Sequence, residues 1–66
     1  MSLIVNGEPS AVETPITIAA LLAAIDAPPR GVAVAVDGAV VPRSGWASHV
    51  LDDGARVEVL TAVQGG

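Results

Sequence analysis

The sequence predicts an α+β domain in which one main helix packs on a mixed sheet of four or five strands. The first observation is a single stretch of helical period, which begins near Thr17 and has short β-prone segments before and after it. The second is a pair of hairpin turn signals, Asn6-Gly7 and Asp37-Gly38, one on either side of that stretch. Runs of strands around one helix are typical of α+β domains, where the helix covers one face of the sheet.

The helix is predicted from large aliphatic side chains at positions i, i+3, i+4 and i+7. These side chains are Ile18, Leu21, Leu22 and Ile25. Thr17 precedes them, where its hydroxyl can cap the first turn. Pro28-Pro29 is expected to end the helix, because the residue before a proline avoids the helical conformation. We therefore expect a helix of about ten residues that buries one face.

The remaining β-prone segments are predicted to be strands bounded by turn residues. They are Ser2–Val5, Glu8–Glu13, Val32–Val36, Ala39–Val41 and Ala55–Leu60. Pro9 cannot donate a ladder hydrogen bond, so its strand should lie at an edge. The segment Arg43–Leu51 has no clean period and is expected to be irregular, with one helical turn. Hairpins at both ends and a helical crossover place the first and last strands side by side at the centre, which is the β-grasp arrangement.

Composition limits the classes of function that the chain can have. Its 66 residues suffice for one small domain, and the absence of cysteine excludes disulfides and thiolate metal sites. The formal net charge of -4 comes from seven acids against three arginines, with Trp46 as the single aromatic residue. This argues against nucleic acid and favours a basic partner. The sequence shows no signal peptide and no apolar run of membrane-spanning length, so no membrane and a cytoplasmic location are expected.

No group of residues in the sequence has the pattern of a catalytic site. His49 has Ser48 beside it, but sequence neighbours are poorly placed to act as nucleophile and base, so a surface or half-buried histidine is predicted. Asp52-Asp53 is predicted to be a solvated turn, and Trp46 to complete the core rather than to bind a partner. Arg43 can pair with an acid or contact a partner, and the sequence favours neither. The chain is therefore predicted to be no enzyme and to bind no metal or cofactor.

The last residues, Gln64-Gly65-Gly66, are predicted to be the functional part of the chain. Glycine has no Cβ, so this is the slimmest peptide that can enter another protein's active site. From Leu60 an extended chain reaches on the order of 20 Å, which can carry a Gly66 carboxylate into a partner's cleft. A frayed terminus is the plainer interpretation of such an end. We divide the chain into a domain, 1–60, and a flexible tail, 61–66.

The carboxylate of Gly66 would have to be activated before it could react. At neutral pH it is an anion and a poor electrophile. An acyl-adenylate, made from ATP by a partner enzyme, is an economical form of activation. Passage through a narrow channel would also explain why Gly65 and Gly66 lack side chains. The chain is therefore predicted to be a carrier or a modifier.

Several stretches of the sequence together carry a family resemblance. They are Ile4-Val5-Asn6-Gly7-Glu8, Val32-Ala33-Val34-Ala35-Val36-Asp37-Gly38, Val40-Val41-Pro42-Arg43 with Trp46, and the run from Val57 to Gly66. In this order they resemble the ThiS family, the thiamine-biosynthesis sulfur carrier proteins, which have a ubiquitin-like β-grasp fold. The Gly-Gly end is shared with ubiquitin and with the small subunit of molybdopterin synthase. Asp37 and Ala55 depart from the commoner family residues, and both departures fall at turns.

The resemblance implies a reaction cycle centred on Gly66. An E1-like adenylyltransferase (ThiF-type) would adenylate the carboxylate with MgATP, which the partner and not the carrier binds. Sulfur from a donor such as a cysteine desulfurase would displace AMP, and the resulting thiocarboxylate would give its sulfur to thiazole synthase (ThiG-type). Val63, Gln64 and Gly65 would pass through the partner's channel, and Arg43 would be a position that can contact a partner.

Three other functions remain open at this point. The chain could carry sulfur for another pathway, as the small subunit of molybdopterin synthase does, because the partner enzymes decide the pathway. It could be a ubiquitin-like protein modifier, although the absence of lysine removes the acceptor for self-conjugation. It could also be a plain interaction module, in which case deletion of Gly66 would be harmless.

Overall fold

The computed structural model describes residues 2–28 and 30–61, and these form one helix, one 3-10 turn and seven strands. The elements in chain order are β1 (Ser2–Val5), β2 (Glu8–Ala11), β3 (Ile16–Thr17), α1 (Ile18–Ala24), β4 (Val32–Val36), β5 (Ala39–Val41), the 3-10 turn (Arg43–Gly45), β6 (Val50–Leu51) and β7 (Arg56–Thr61). A five-stranded sheet has the order β2-β1-β7-β4-β5, and β3 pairs with β6 in a small second sheet. Met1, Pro29 and residues 62–66 lie outside the described residues.

The first and last strands lie side by side at the centre of the five-stranded sheet, as predicted. They run parallel, with Ile4 opposite Arg56 and Val5 opposite Val57. β2 pairs with β1, β4 with β7 and β5 with β4, all antiparallel. Pro9 lies on β2, at the predicted edge. The sheet is therefore mixed and five-stranded, and the β-grasp topology is confirmed.

Both hairpin turns adopt the conformation that their sequences predict. Asn6 and Gly7 have φ angles of 52° and 82°, and Asp37 and Gly38 have 50° and 86°. Positive φ at both central residues defines a type I′ turn, whose twist matches that of the flanking strands. Asparagine, aspartate and glycine tolerate this conformation better than other residues, so the local sequence determines where the sheet turns.

The helix begins where predicted and ends earlier than predicted. The hydroxyl of Thr17 accepts a hydrogen bond from the Ala20 N–H at 3.1 Å, which confirms the N-cap. The helix ends at Ala24, and Ile25 is its C-cap and is exposed. Asp26 then takes a left-handed φ of 59°. The prediction that Pro28-Pro29 ends a helix of about ten residues was therefore wrong.

A Schellman motif explains the early end of α1. The Asp26 N–H donates to the Ala23 carbonyl at 3.2 Å, and the Ala27 N–H to the Leu22 carbonyl at 2.9 Å. These two bonds satisfy carbonyls that the helix leaves without partners. Aspartate is one of the few non-glycine residues that tolerate the left-handed conformation.

No helix in the described part of the chain has the length and apolar character to cross a membrane.

The strand boundaries also differ from the prediction in part. β2 ends at Ala11 rather than Glu13, because the hairpin register ends with Ala11 opposite Ser2. β7 is shifted one residue along, to Arg56–Thr61. β3 and β6 were missed, since two-residue strands leave no periodic pattern. The segment predicted to be irregular, Arg43–Leu51, contains the expected helical turn but ends in β6.

The core lies between α1 and one face of the five-stranded sheet. Three helix residues, Ile18, Leu21 and Leu22, pack with sheet residues that are almost fully buried. Those sheet residues include Leu3, Val34, Val41, Val57 and Val59. Successive side chains of a strand point to opposite faces, so the residues between them belong to the other, outer face. The helix therefore covers the inner face.

Candidate functional site

The last strand, β7, lies at the centre of the five-stranded sheet and ends at Thr61, at one end of that sheet. Along β7, Val57 and Val59 are buried, whereas Glu58, Leu60 and Thr61 are exposed. Thr61 is paired with Val32 at the start of β4. Thr61 ends β7 and is exposed, so the segment that follows it starts at this corner of the sheet.

Four predicted site residues lie outside the described residues: Val63, Gln64, Gly65 and Gly66. The statements made about them from the sequence remain predictions. The described residues determine only the position from which this segment starts, which is Thr61 at the end of β7.

Two exposed aliphatic side chains lie with Glu58 on the outer face of the sheet near Thr61. Leu60 is 65% exposed and Val40 is 77% exposed. The pairing register places Leu60 opposite Ala33 and Val40 opposite Ala35, so these side chains share one face. A shallow groove of about 380 Å³ is lined by Gly31, Val32, Ala33, Leu60 and Thr61. Aliphatic side chains exposed beside such a groove are candidates for contact with a partner protein.

Asn6 forms two side-chain hydrogen bonds to the strand that leads to the tail. Its Oδ1 accepts from the Val59 N–H at 2.8 Å, and its Nδ2 donates to the Val59 carbonyl at 3.1 Å. The Asn6 N–H also donates to the Val57 carbonyl at 2.9 Å. The Asn6-Gly7 pair was correctly predicted to be a turn. The contacts of Asn6 with β7 were missed, because the turn alone accounts for an Asn-Gly pair in the sequence.

A second shallow pocket, of about 330 Å³, collects several polar side chains away from the end of β7. Asp37, His49, Asp52 and Asp53 are among the residues that line it. Asp37 accepts a hydrogen bond from the Arg56 N–H at 3.2 Å, and Asp53 accepts one from the Ser2 N–H at 2.6 Å. Within residues 2–28 and 30–61, no three acidic, histidine or cysteine side chains are placed to hold a metal ion. The Ala55 N–H donates to the Asp52 carbonyl at 3.1 Å and both aspartates are exposed, so Asp52-Asp53 forms a solvated turn, as predicted.

The family of the chain follows from its similarity to known proteins. The model of the ThiS family matches residues 3–66, almost the whole chain. The chain belongs to the ThiS family. It is accordingly a sulfur carrier of thiamine biosynthesis rather than a catalyst, and both predictions are confirmed.

Individual members of the ThiS family agree with this assignment. The sulfur carrier protein ThiS of Escherichia coli is 34% identical over 50 residues, which are 76% of each chain. The crystal structure of ThiS from Geobacter metallireducens superposes with a TM-score of 0.85 and 35% identity, with full coverage of both chains. Its solution structure gives a TM-score of 0.83 and 33% identity, with coverage of 100% of this chain and 88% of that one.

A larger protein also contains a segment similar to this ThiS-family chain. The thiazole synthase of Paramagnetospirillum magneticum is 33% identical over 66 residues, which are the whole of this chain. The chain spans 20% of the length of that synthase. A carrier-like segment therefore lies within the polypeptide of that thiazole synthase.

In this ThiS-family chain, Arg43 lies beside the only aromatic ring. Its guanidinium carbon is 5.7 Å from the centroid of the Trp46 ring, within the range of a cation–π interaction. Trp46 packs against the core and donates its indole N–H to the Val41 carbonyl at 3.0 Å, which confirms its predicted structural role. The side chain of Arg43 is exposed. Its contact with a partner remains a prediction.

Proposed function

We propose that the chain carries sulfur as a thiocarboxylate on Gly66 and delivers it for assembly of the thiazole ring of thiamine. The observation that carries this proposal is the ThiS-family match, which extends from residue 3 through Gly66. The exposed end of β7 at Thr61 supports it, because the segment that contains Gly66 starts at the rim of the sheet.

The proposed cycle has two steps on the carrier. The Gly66 carboxylate attacks the α-phosphorus of MgATP in the active site of an E1-like, ThiF-type adenylyltransferase, and pyrophosphate leaves. In the second step the terminal sulfur of a persulfide, held by a donor such as a cysteine desulfurase, displaces AMP from the acyl-adenylate, and a thiol reductant cleaves the S–S bond of the resulting acyl disulfide to leave the thiocarboxylate on Gly66. The carrier contributes the carboxylate and a slim approach through Val63, Gln64 and Gly65, whereas the partner contributes the nucleotide site.

Thiazole synthase (ThiG-type) is the proposed acceptor of the sulfur. The carrier-like segment in the P. magneticum synthase supports this partnership, because domains that act together are found joined in one polypeptide. The part of the outer face that exposes Leu60 and Val40 is the surface proposed to meet the adenylating partner, since it adjoins the origin of the tail. The net charge of -4 favours a basic rim on that partner. The cytoplasm is the proposed compartment.

The proposal is tested by incubating the chain with MgATP, a ThiF-type enzyme, a cysteine desulfurase, cysteine and a thiol reductant, followed by intact-mass spectrometry. The expected result is a mass increase equal to the replacement of one oxygen by one sulfur, located at Gly66 by fragmentation. Omission of ATP should abolish it. Isopeptide-linked conjugates to other proteins, or an unmodified chain in a reaction that modifies E. coli ThiS, would contradict the proposal.

A further inference from the structure

The side chain of Asn6 takes the place of a missing strand residue beside β7. β1 pairs with β7 only at Ile4 and Val5, and the chain then turns away at Asn6-Gly7. The primary amide of Asn6 offers one acceptor and one donor, as a peptide group does. It bonds to both backbone groups of Val59, at 2.8 Å and 3.1 Å. The ladder on this side of β7 is thereby extended by one residue.

Both backbone groups of Val59 would lack a partner in the sheet without that amide. These two bonds are partly buried, and they join residues that are 53 positions apart in sequence. On the opposite side, β4 holds the same part of β7, with Ala33 opposite Leu60. The end of β7 is therefore held from two sides, by a strand and by one side chain.

The backbone groups of Thr61 point to the same side of β7 as those of Val59, toward Asn6. Thr61 is the first residue after Val59 with this orientation. Alternate residues of a strand direct their N–H and C=O groups to the same side, so Thr61 follows Val59 in this respect. From Thr61 to Gly66 the chain has five further residues, and the strand end from which they start is held by the pairing of Thr61 with Val32 and by the Asn6 amide at Val59. A fixed start restricts the volume that the end of a short chain explores.

We propose that Asn6 is a positioning residue for the carrier reaction. Its amide fixes the place and direction in which the chain leaves the sheet, and so aligns Gly66 with the partner's active site when the body is docked. This inference rests on the proposed function. Misplacement of a reacting group by a small distance costs a large factor in rate, whereas docking of the body through other residues is unaffected.

Asp37 provides a matched control for Asn6. It has the same turn position and nearly the same φ, and its side chain also bonds to β7, at the Arg56 N–H. That bond lies at the other end of the strand from Thr61. Glycine accepts positive φ, so Asn6→Gly and Asp37→Gly both keep the turn and remove a side-chain contact to β7.

The first measurement is amide hydrogen exchange in the isolated chain. Asn6→Gly should accelerate exchange at Val59, whereas Asp37→Gly should leave Val59 unchanged. Asn6→Asp keeps an oxygen for the Val59 N–H and loses the donor to the Val59 carbonyl, so its effect should be intermediate. Unchanged exchange at Val59 in Asn6→Gly would overturn the inference.

The second measurement is steady-state adenylation by the ThiF-type enzyme with the carrier as varied substrate. For Asn6→Gly we expect kcat to fall about tenfold with little change in KM, because the body still docks but the tail is misaligned. Asp37→Gly should keep both values. Equal kcat for the two glycine variants, or a change in KM alone, would overturn the inference. An unaltered chain that is not adenylated would instead contradict the proposed function, and the exchange result at Val59 would distinguish the two failures.

Discussion

The two faces of β7 differ in what they contact, although they belong to one strand. Val57 and Val59 point inward and are 1% and 9% exposed, whereas Leu60 points outward and is 65% exposed. The inner face packs with α1 in the core, and the outer face carries Arg56, Glu58 and, next to Thr61, the exposed Leu60. Folding therefore depends on one set of alternate residues, and the proposed recognition depends on the other set and on the tail.

The largest expected effect is loss of stability when the inner face is truncated. Leu3 lies on β1 next to β7 and is fully buried. Leu3→Ala should reduce the free energy of unfolding by about 2–5 kcal/mol, because it removes buried methyl groups and leaves a cavity. Urea denaturation measures this change. A chain of 66 residues has little stability in reserve, so partial unfolding in buffer is also expected.

A leucine-to-alanine substitution on the outer face should affect binding to the partner rather than stability. Leu60→Ala should change the free energy of unfolding by less than about 0.5 kcal/mol, since the side chain is exposed. It should weaken binding to the ThiF-type enzyme by about 1–2 kcal/mol, as truncation of an apolar interface residue does. Calorimetric titration measures the affinity. If Leu60→Ala destabilised the fold as much as Leu3→Ala, the distinction between the two faces would be wrong.

A smaller effect is expected at the start of the helix, which belongs to the core side. Thr17→Ala removes the acceptor for the Ala20 N–H and should cost about 1 kcal/mol of stability. Thr17→Ser keeps the hydroxyl and serves as the control. Thermal unfolding of the two variants checks the difference. Neither variant should change the affinity for the adenylating partner, and a change shared by both would place this end of α1 in the interface.

The sequence predicted the parts of the fold that follow from local chemistry. Asn6-Gly7 and Asp37-Gly38 have residues that tolerate positive φ, and the valines of β4 alternate cleanly, so both turns and the bounds of β1, β4 and β5 were predicted correctly. The end of the helix at Ala24 was missed because the proline pair was given more weight than Asp26, which takes the left-handed conformation just after the helix. The pairing of β3 with β6 depends on contacts between distant segments, which periodicity does not reveal.

The candidate site was predictable only in part. The Gly-Gly end and the family motifs can be recognised in the sequence, and they indicate where the chemistry takes place. The bonds from Asn6 to Val59 depend on two segments that meet only in the fold. The exposure of Leu60 had a sequence signal, since it alternates in phase with Arg56 and Glu58 and therefore lies on the polar side of β7.

Deletion of Gly66 tests most directly whether folding and adenylation depend on different parts of the chain. Unfolding midpoint and adenylation by the ThiF-type enzyme are measured for the full chain and for the chain without Gly66. We expect equal midpoints, because the buried core of the described residues extends only from Leu3 to Val59, and no adenylation of the shortened chain. Adenylation of the shortened chain at the rate of the full chain would contradict the account.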